Sequence, residues 1–201
     1  MTPKPAQPHR DDGHGAQAID PALFAQGCVG ADPNFFAALG LTAARLQPVA
    51  TALLAEPMSD CFGPHLVLDN AKLAGFLCAY RFPEMFSRQA TTLKMLLPYC
   101  DADWAAIKQR LRDLQRSKAD IRTPDSLYLA KLFVAPHARG RGCGDRLMRL
   151  LHSVALQSPG VKAIALHVRR DNPAARRLYE RHEFAVVGEP AHDYLAMERS
   201  L

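Results

Sequence analysis

Leu127–Val134 is a nearly continuous apolar run. A strand with one wet face alternates polar and apolar residues, whereas a strand covered on both faces does not. The run therefore predicts a strand inside a sheet, with layers above and below. Glycines and arginines then fill Arg139–Gly144, and Leu147, Leu150, Leu151 and Val154 follow at helical spacing up to Pro159-Gly160. Lys162–Val168 reads as a second buried strand. Asn172-Pro173 supplies a helix cap followed by proline at the first helical position, so a second helix starts there. Phe184–Val187 and Tyr194–Met197 read as closing strands. The order is strand, glycine loop, helix, strand, helix, strand, strand, which is an α/β pattern.

The loop has a chemical reading. The first N–H groups of a helix lack partners within it, and the helix dipole adds partial positive charge, so an anion is the natural ligand there. Gly140, Gly142 and Gly144 leave no Cβ between backbone and ligand, and Arg139 and Arg141 add forked donors suited to phosphate oxygens. Two common phosphate loops are excluded. No Lys-Ser/Thr follows the glycines, as Walker A needs, and the last glycine of G-x-G-x-x-G would fall on Asp145. What is present is Arg139-x-x-Gly142-x-Gly144, between a buried strand and an amphipathic helix.

Leu132-Phe133-Val134-Ala135-Pro136-His137-Ala138-Arg139-Gly140-Arg141-Gly142-Cys143-Gly144 closely resembles the coenzyme A motif of the GNAT N-acetyltransferase superfamily: V-x-P, then Q/R-x-x-G-x-G/A. Asn172–Phe184, "NPAARRLYERHEF", is similar to the family's N-x-x-A-x-x-L-Y-x-x-x-G-F, and lies one helix and one strand further on. The hairpin "HLVLDNAKLAGFLCAY" is similar to the family's second and third strands, so the resemblance covers roughly 65–201. It implies an α/β (α+β) acyl-CoA N-acyltransferase fold, with a mixed, mostly antiparallel sheet splayed in the middle and flanked by helices. It implies a domain over 19–201, and transfer of acetyl from acetyl-CoA to an amine of a small molecule or protein in a ternary complex. By the same resemblance, the backbone of Gly140–Asp145 holds the pyrophosphate beside Arg139 and Arg141. The main chain of Leu132, Phe133 and Val134 meets the pantetheine arm, Asn172, Ala175 and Arg176 lie along it, and Tyr179 protonates the departing sulfur. Asn172 and Tyr179 are two helical turns apart, so both point to one side.

Two positions depart from the family. Glu183 replaces the glycine that ends the second helix in a left-handed conformation, at a cost of roughly 1 kcal/mol. The strand positions where several members carry a general base, counted back by twos from Val134, hold Tyr128 and Ala130. Glu84, Asp125, His167 or a chain of waters are substitutes, and the role stays unassigned.

Earlier segments read less sharply. A short helix is expected near Pro21–Gln26, and another after Thr42, with Pro48 as its kink or start. His65–Leu68 and Leu73–Tyr80 form a hairpin turning at Asp69-Asn70, with Gly75 marking a bulge or a close backbone approach. Pro83 and Pro98 bracket a helix. Trp104, Ile107, Leu111 and Leu114 line one face of another, capped by Asp101 or Asp103, with Lys108, Arg110, Arg112 and Arg116 on its other faces.

The net charge of +5 suits an anionic ligand, an acidic partner or nucleic acid alike. The basic face Lys108, Arg110, Arg112, Arg116, Lys118 and Arg122 offers contacts to the 3′-phosphate of coenzyme A, an acidic acceptor or nucleic acid; it has no interleaved stacking aromatics, so it reads as a solvated face and nucleic acid as an unlikely partner. Five scattered cysteines suggest neither a disulfide framework nor a metal site, which fits a reducing cytoplasm. Cys143, beside a helix N-terminus, is expected to have a lowered thiol pKa. Residues 1–18 read as a flexible tail without a signal-peptide core, and no apolar run is long enough to span a membrane. The acceptor pocket is expected from about 24–62 and 81–126, with Asp60 or Glu84 as carboxylates for an amine. Monomer and homodimer both remain open. A non-catalytic acetyl-CoA-binding regulator and a nucleic-acid-binding module are the alternatives to the enzyme.

Overall fold

The computed structural model describes residues 19–101, 103–188 and 193–201; the expected tail, residues 1–18, lies outside them. Three helices come first: α1 (Pro21–Ala31), α2 (Pro33–Leu39) and α3 (Ala43–Ala55). Asp20 and Asp32 cap the first two, each followed by proline at the first helical position. α1 runs five residues past the expected end, to Ala31. Pro48 lies inside α3. The hairpin β1 (His65–Asp69) and β2 (Lys72–Arg81) follows, then α4 (Met85–Leu96) and α5 (Trp104–Arg116). The hairpin turns at Asn70-Ala71, both at positive φ, one residue later than the sequence suggested. Asp103 caps α5 through Ala105 and Ala106, while Asp101 pairs with Arg45. Then come β3 (Ser126–Val134), α6 (Cys143–Leu156), β4 (Ala163–Arg169), α7 (Pro173–Arg181), β5 (Ala185–Val187) and β6 (Tyr194–Ser200).

The six strands form one sheet in the order β1-β2-β3-β4-β6-β5. Every neighbouring pair is antiparallel except β3 and β4, which are parallel. One face carries α1–α5. There Phe24, Phe76 and Phe133 stack with centroids 5.1 and 5.5 Å apart. α1 crosses them closely at Gly27, where a Cβ would lie 2.5 Å from the Phe76 ring. The other face carries α6 and α7, with Leu147 and Leu151 packed on Leu77, Leu129 and Leu166. Among the described residues no single helix is long and apolar enough to cross a membrane.

β3 and β4 pair only from Ser126↔Ala163 to Leu129↔Leu166, then part. The cause is on the other edge of β3. Cys78 faces Lys131 and Ala79 faces Leu129, so Ala130 is an extra residue, a bulge that bends the strand. The bulge also reverses the alternation. Leu127 and Leu129 join the α6 face with Leu132 and Val134, while Tyr128 lies toward the other side with Lys131 and Phe133. Counting by twos from Val134 thus crosses from one face to the other. Gly75 meets both of its expectations. A bulge adjoins it, between Val67/Leu68 and its partners, and a Cβ on Gly75 would sit 2.5 Å from the Phe133 carbonyl oxygen.

Two polar links stand where the strands separate. Lys131 Nζ donates to Asp60 Oδ2 at 2.9 Å, with side chains 2% and 5% exposed. Burial alone would raise the Asp60 carboxyl, but the Lys131 charge and hydrogen bonds from Lys131, Thr92 and Cys61 outweigh it and hold it below its ordinary value. Burial would likewise lower Lys131, and Asp60 keeps it well above. On the β4 side, His167 Nε2 donates to the Ala119 carbonyl at 2.7 Å, so Nδ1 is the acceptor for the Tyr128 hydroxyl at 3.0 Å. Burial depresses His167 to about 4.

Each link makes an expectation. Lys131→Met leaves a buried carboxylate without its cation and destabilises by about 3–5 kcal/mol in urea unfolding. Adding Asp60→Leu recovers most of the loss, and an equal or larger loss in the double variant would show that the pair is not the cause. For His167 the folded value lies below the ordinary 6.5, so folding favours the neutral ring. Its contribution is full above the unfolded value and is lost as pH falls toward about 4. The wild type should lose up to about 1.4 kcal/mol per pH unit in that window relative to His167→Gln, which keeps both hydrogen bonds. Parallel urea midpoints at pH 7, 6 and 5 would contradict this.

Candidate active site

Among the described residues, the β4-facing edge of β3 has no strand beside it past Leu129, and the chain runs from there into the glycine loop. Gly140 and Gly142 stand at φ of 72° and 74°, a region L-residues avoid, and a Cβ at either would meet nothing within 4 Å. Gly142 caps α6 without a side chain, and the first α6-side N–H to reach a carbonyl is that of Arg146, to Gly142, at 3.1 Å. The N–H groups of Cys143, Gly144 and Asp145 therefore open the helix without intrahelical partners. Gly144 serves packing instead: a Cβ there would approach Leu178 of α7 to 3.2 Å. This is how α6 and α7 come close enough to flank one opening.

The flanking charges are held in place. Arg139 Nε donates to Val134 O at 3.3 Å, and Arg141 pairs with Asp69 of the hairpin at 3.0 Å. Asp145 is lowered by hydrogen bonds from His182, at 3.0 Å, and Arg181, at 3.2 Å. The expectation for Cys143 is corrected: burial raises its thiol, which donates to Ala74 O at 3.4 Å. Phe133 turns its ring into the α1 core, whereas Leu132 and Val134 lie on the α6 side.

Asn172 caps α7 by accepting from Ala175 N–H at 3.1 Å. Arg176 pairs with Glu180 at 2.7 Å. Tyr179 is 7% exposed against Phe184, and burial pushes its hydroxyl up to about 12. Glu183 does take the left-handed conformation, φ 65°, and its carboxylate pairs with Arg199 at 2.8 Å.

The substitutes for a general base are all engaged. Asp125 pairs with Lys162 at the surface, at 2.8 Å. Glu84 holds Arg88 at 2.7 Å, while Arg88 also bonds the carbonyls of Pro57 and Ser59. His167 has both nitrogens occupied, and so is a satisfied core histidine. α5 keeps its basic residues in water, with Lys108 over Trp104 and Arg112 on Gln109.

Across the sheet from α6 lies a cleft of about 160 Å³ between α2, α4 and α5. Phe35, Leu93, Leu111 and Leu114 are among its walls, and Asp32, Asp60 and Lys118 bring charge to it. Sequence reasoning named Asp60 for the acceptor, read Lys118 as part of a solvated basic face, and missed Asp32. Asp32 was legible as a cap, since Asp32-Pro33 repeats the Asn172-Pro173 signature. Lys131, which fixes Asp60, was visible as a charged residue in a buried run. Lys118 departs from the solvated face expected for it: it lies beyond the end of α5, is half-buried, and reaches the site through a bridge to Tyr194.

Comparison with known proteins agrees with this architecture. Residues 39–184 match the family profile described as acetyltransferase (GNAT) family. A curated relative, "Uncharacterized N-acetyltransferase YhfO" of Bacillus subtilis (strain 168), is 41% identical over 56 residues, 28% of this chain and 37% of the relative's length. The chain thus spans well under half of that relative in the aligned region. A crystal structure of an acetyltransferase superposes with a TM-score of 0.63 at 19% identity, over 93% of this chain and 97% of that one. Aminoglycoside acetyltransferase AAC(6')-Ib, in complex with coenzyme A and kanamycin, superposes with a TM-score of 0.55 at 16% identity, over 93% and 90% of the two chains. At such identities the solved structures speak for the fold alone. The profile covers most of the chain, and with the split sheet and the glycine loop it establishes that this chain belongs to the GNAT acetyltransferase family.

Proposed function

We propose that the chain is an acetyl-CoA-dependent N-acetyltransferase, with its domain over 19–201. What carries the reading is the junction of two openings: the unaccompanied edge of β3 and the open N-terminus of α6, joined by a loop whose glycines leave the space above it clear. The residues fit the group. Backbone N–H groups from Gly140 to Asp145 would receive the pyrophosphate, and Arg139 and Arg141 add positive charge. The main chain of Leu132 and Val134 would bond the pantetheine arm, with Asn172, Ala175 and Arg176 along its other side. When bound, acetyl-CoA supplies the thioester: the acceptor amine forms the new C–N bond, the C–S bond breaks, and coenzyme A departs as the thiol.

Tyr179 is the one acidic hydrogen placed by the family motif. With its hydroxyl raised to about 12, it remains protonated across neutral pH. Its part is to donate from Oη as charge develops on sulfur, and the net proton for the thiol comes from the amine. Backbone N–H groups on the free edge of β3 polarise the carbonyl.

Calorimetric titration with acetyl-CoA should give micromolar binding to the wild type, and none to an Arg139→Ala/Gly142→Asp variant of unchanged circular dichroism. Tyr179→Phe should bind normally and turn over roughly 10²-fold more slowly. No binding by folded wild type would refute the cofactor assignment, and wild-type turnover by Tyr179→Phe would remove the donor role.

A further inference from the structure

The cleft between α2, α4 and α5 specifies more than an amine. Its volume, about 160 Å³, is close to that of an apolar cavity that takes up one benzene, ~150 Å³. With Phe35, Leu93, Leu111 and Leu114 around it, there is room for one ring or one branched aliphatic chain. Of the charges, Asp60 is committed to Lys131 at 2.9 Å, and the two cancel. Asp32 and Lys118 remain. Among the described residues neither has an ion-pair partner within 4.0 Å.

Both are fixed by one side chain. Tyr194 Oη donates to Asp32 Oδ1 at 3.5 Å, and Lys118 Nζ stands 5.5 Å from the centre of the same ring. Asp32 is further held by the Phe35 N–H at 3.4 Å. So a carboxylate and an ammonium border one small, mostly apolar space, with no ion pair between them. A ligand carrying only an ammonium would pair with Asp32 and be repelled by Lys118, whose half-buried charge would be left without an anion. A ligand with a charge of each sign satisfies both. Burial lowers the Lys118 ammonium, with Asp32 only partly opposing it, which is what an anion arriving with the substrate would reverse.

We propose that the acceptor is a zwitterion, an α-amino acid or close analogue with a compact apolar side chain, its ammonium received by Asp32 and its carboxylate by Lys118. This rests on the acetyl-transfer reading: the ammonium first releases one proton to solvent, the freed α-amine forms the C–N bond as the C–S bond breaks, and a second proton from nitrogen leaves with coenzyme A as the thiol. The side chain lies against Phe35, Leu93, Leu111 and Leu114.

The test uses matched probes that differ only by the carboxylate: L-phenylalanine against 2-phenylethylamine, and L-leucine against 3-methylbutylamine. Thiol release from acetyl-CoA is followed in wild type, Lys118→Met and Asp32→Asn; asparagine remains a competent helix cap. Wild type should prefer each amino acid at least tenfold in kcat/KM. Lys118→Met should bring that ratio near one, chiefly through KM, and Asp32→Asn should depress both members of each pair at least tenfold. Equal use of the pairs by wild type, an unchanged ratio in Lys118→Met, or no transfer to any probe while acetyl-CoA still binds would each overturn the proposal. If acetyl-CoA itself fails to bind, the acetyl-transfer reading falls separately. Calorimetry of L-phenylalanine with the free protein then decides: binding weakened tenfold by Lys118→Met supports the cleft assignment, and no binding refutes it.

Discussion

The parting of β3 from β4 organises the molecule, and one inserted residue produces it. Ala130 has no counterpart on β2, so β3 bends away just where its pairing with β4 ends at Leu129↔Leu166. The bend frees an edge of backbone for a ligand. It also swings Lys131 onto the α1–α5 face, where the ammonium must find a partner or pay heavily for burial. Asp60 meets it, and the loop bearing Asp60 is thereby pinned to the strand. The same bulge therefore opens the sheet and ties down the segment beside the opening.

On the opposite face, the close approach of backbones replaces side-chain chemistry. Gly75 lets β2 meet β3 under the loop, Gly142 caps α6 with no side chain, and Gly144 brings Leu178 of α7 against α6. The result is a pair of helices around an opening whose donors are main-chain N–H groups. Such groups cannot titrate and need no reorganisation, so a cofactor held by them is held alike at any pH the fold survives. Nearby, Asp145 is held by Arg181 and His182, and Asp69 fixes Arg141 beside the loop.

How far the sequence was legible follows from this division. The strand, loop and helix from Leu127 to Leu156, and the cap at Asn172, are written in local signals: apolar runs, glycines, a capping residue before proline. So is the strained Glu183, which takes φ 65° because the helix end imposes it, and ion-pairs with Arg199. The bulge is not local. Whether Ala130 is paired depends on β2, which lies fifty residues earlier in the chain, so the change of face between Leu132 and Tyr128 carries no local signal. The thiol of Cys143 failed for a similar reason. A helix N-terminus lowers a thiol, yet burial under Ala74 wins, and that burial belongs to the tertiary packing. Asp32, Asp60 and Lys118 come from three separate segments, so no spacing rule could have gathered them.

The two sides of the sheet then carry different kinds of information. On the proposed reading, the loop and α6 would read phosphate and backbone shape, which is the same problem in every chain that binds the same cofactor. The helices α2, α4 and α5 would read the acceptor, and do so with side chains. α5 shows how one helix serves both its own solubility and the site: Leu111 and Leu114 wall the cleft while its arginines stay in water. That arrangement keeps the basic stripe of α5 in water. It would also leave specificity to a few residues that lie across the sheet from the glycine loop.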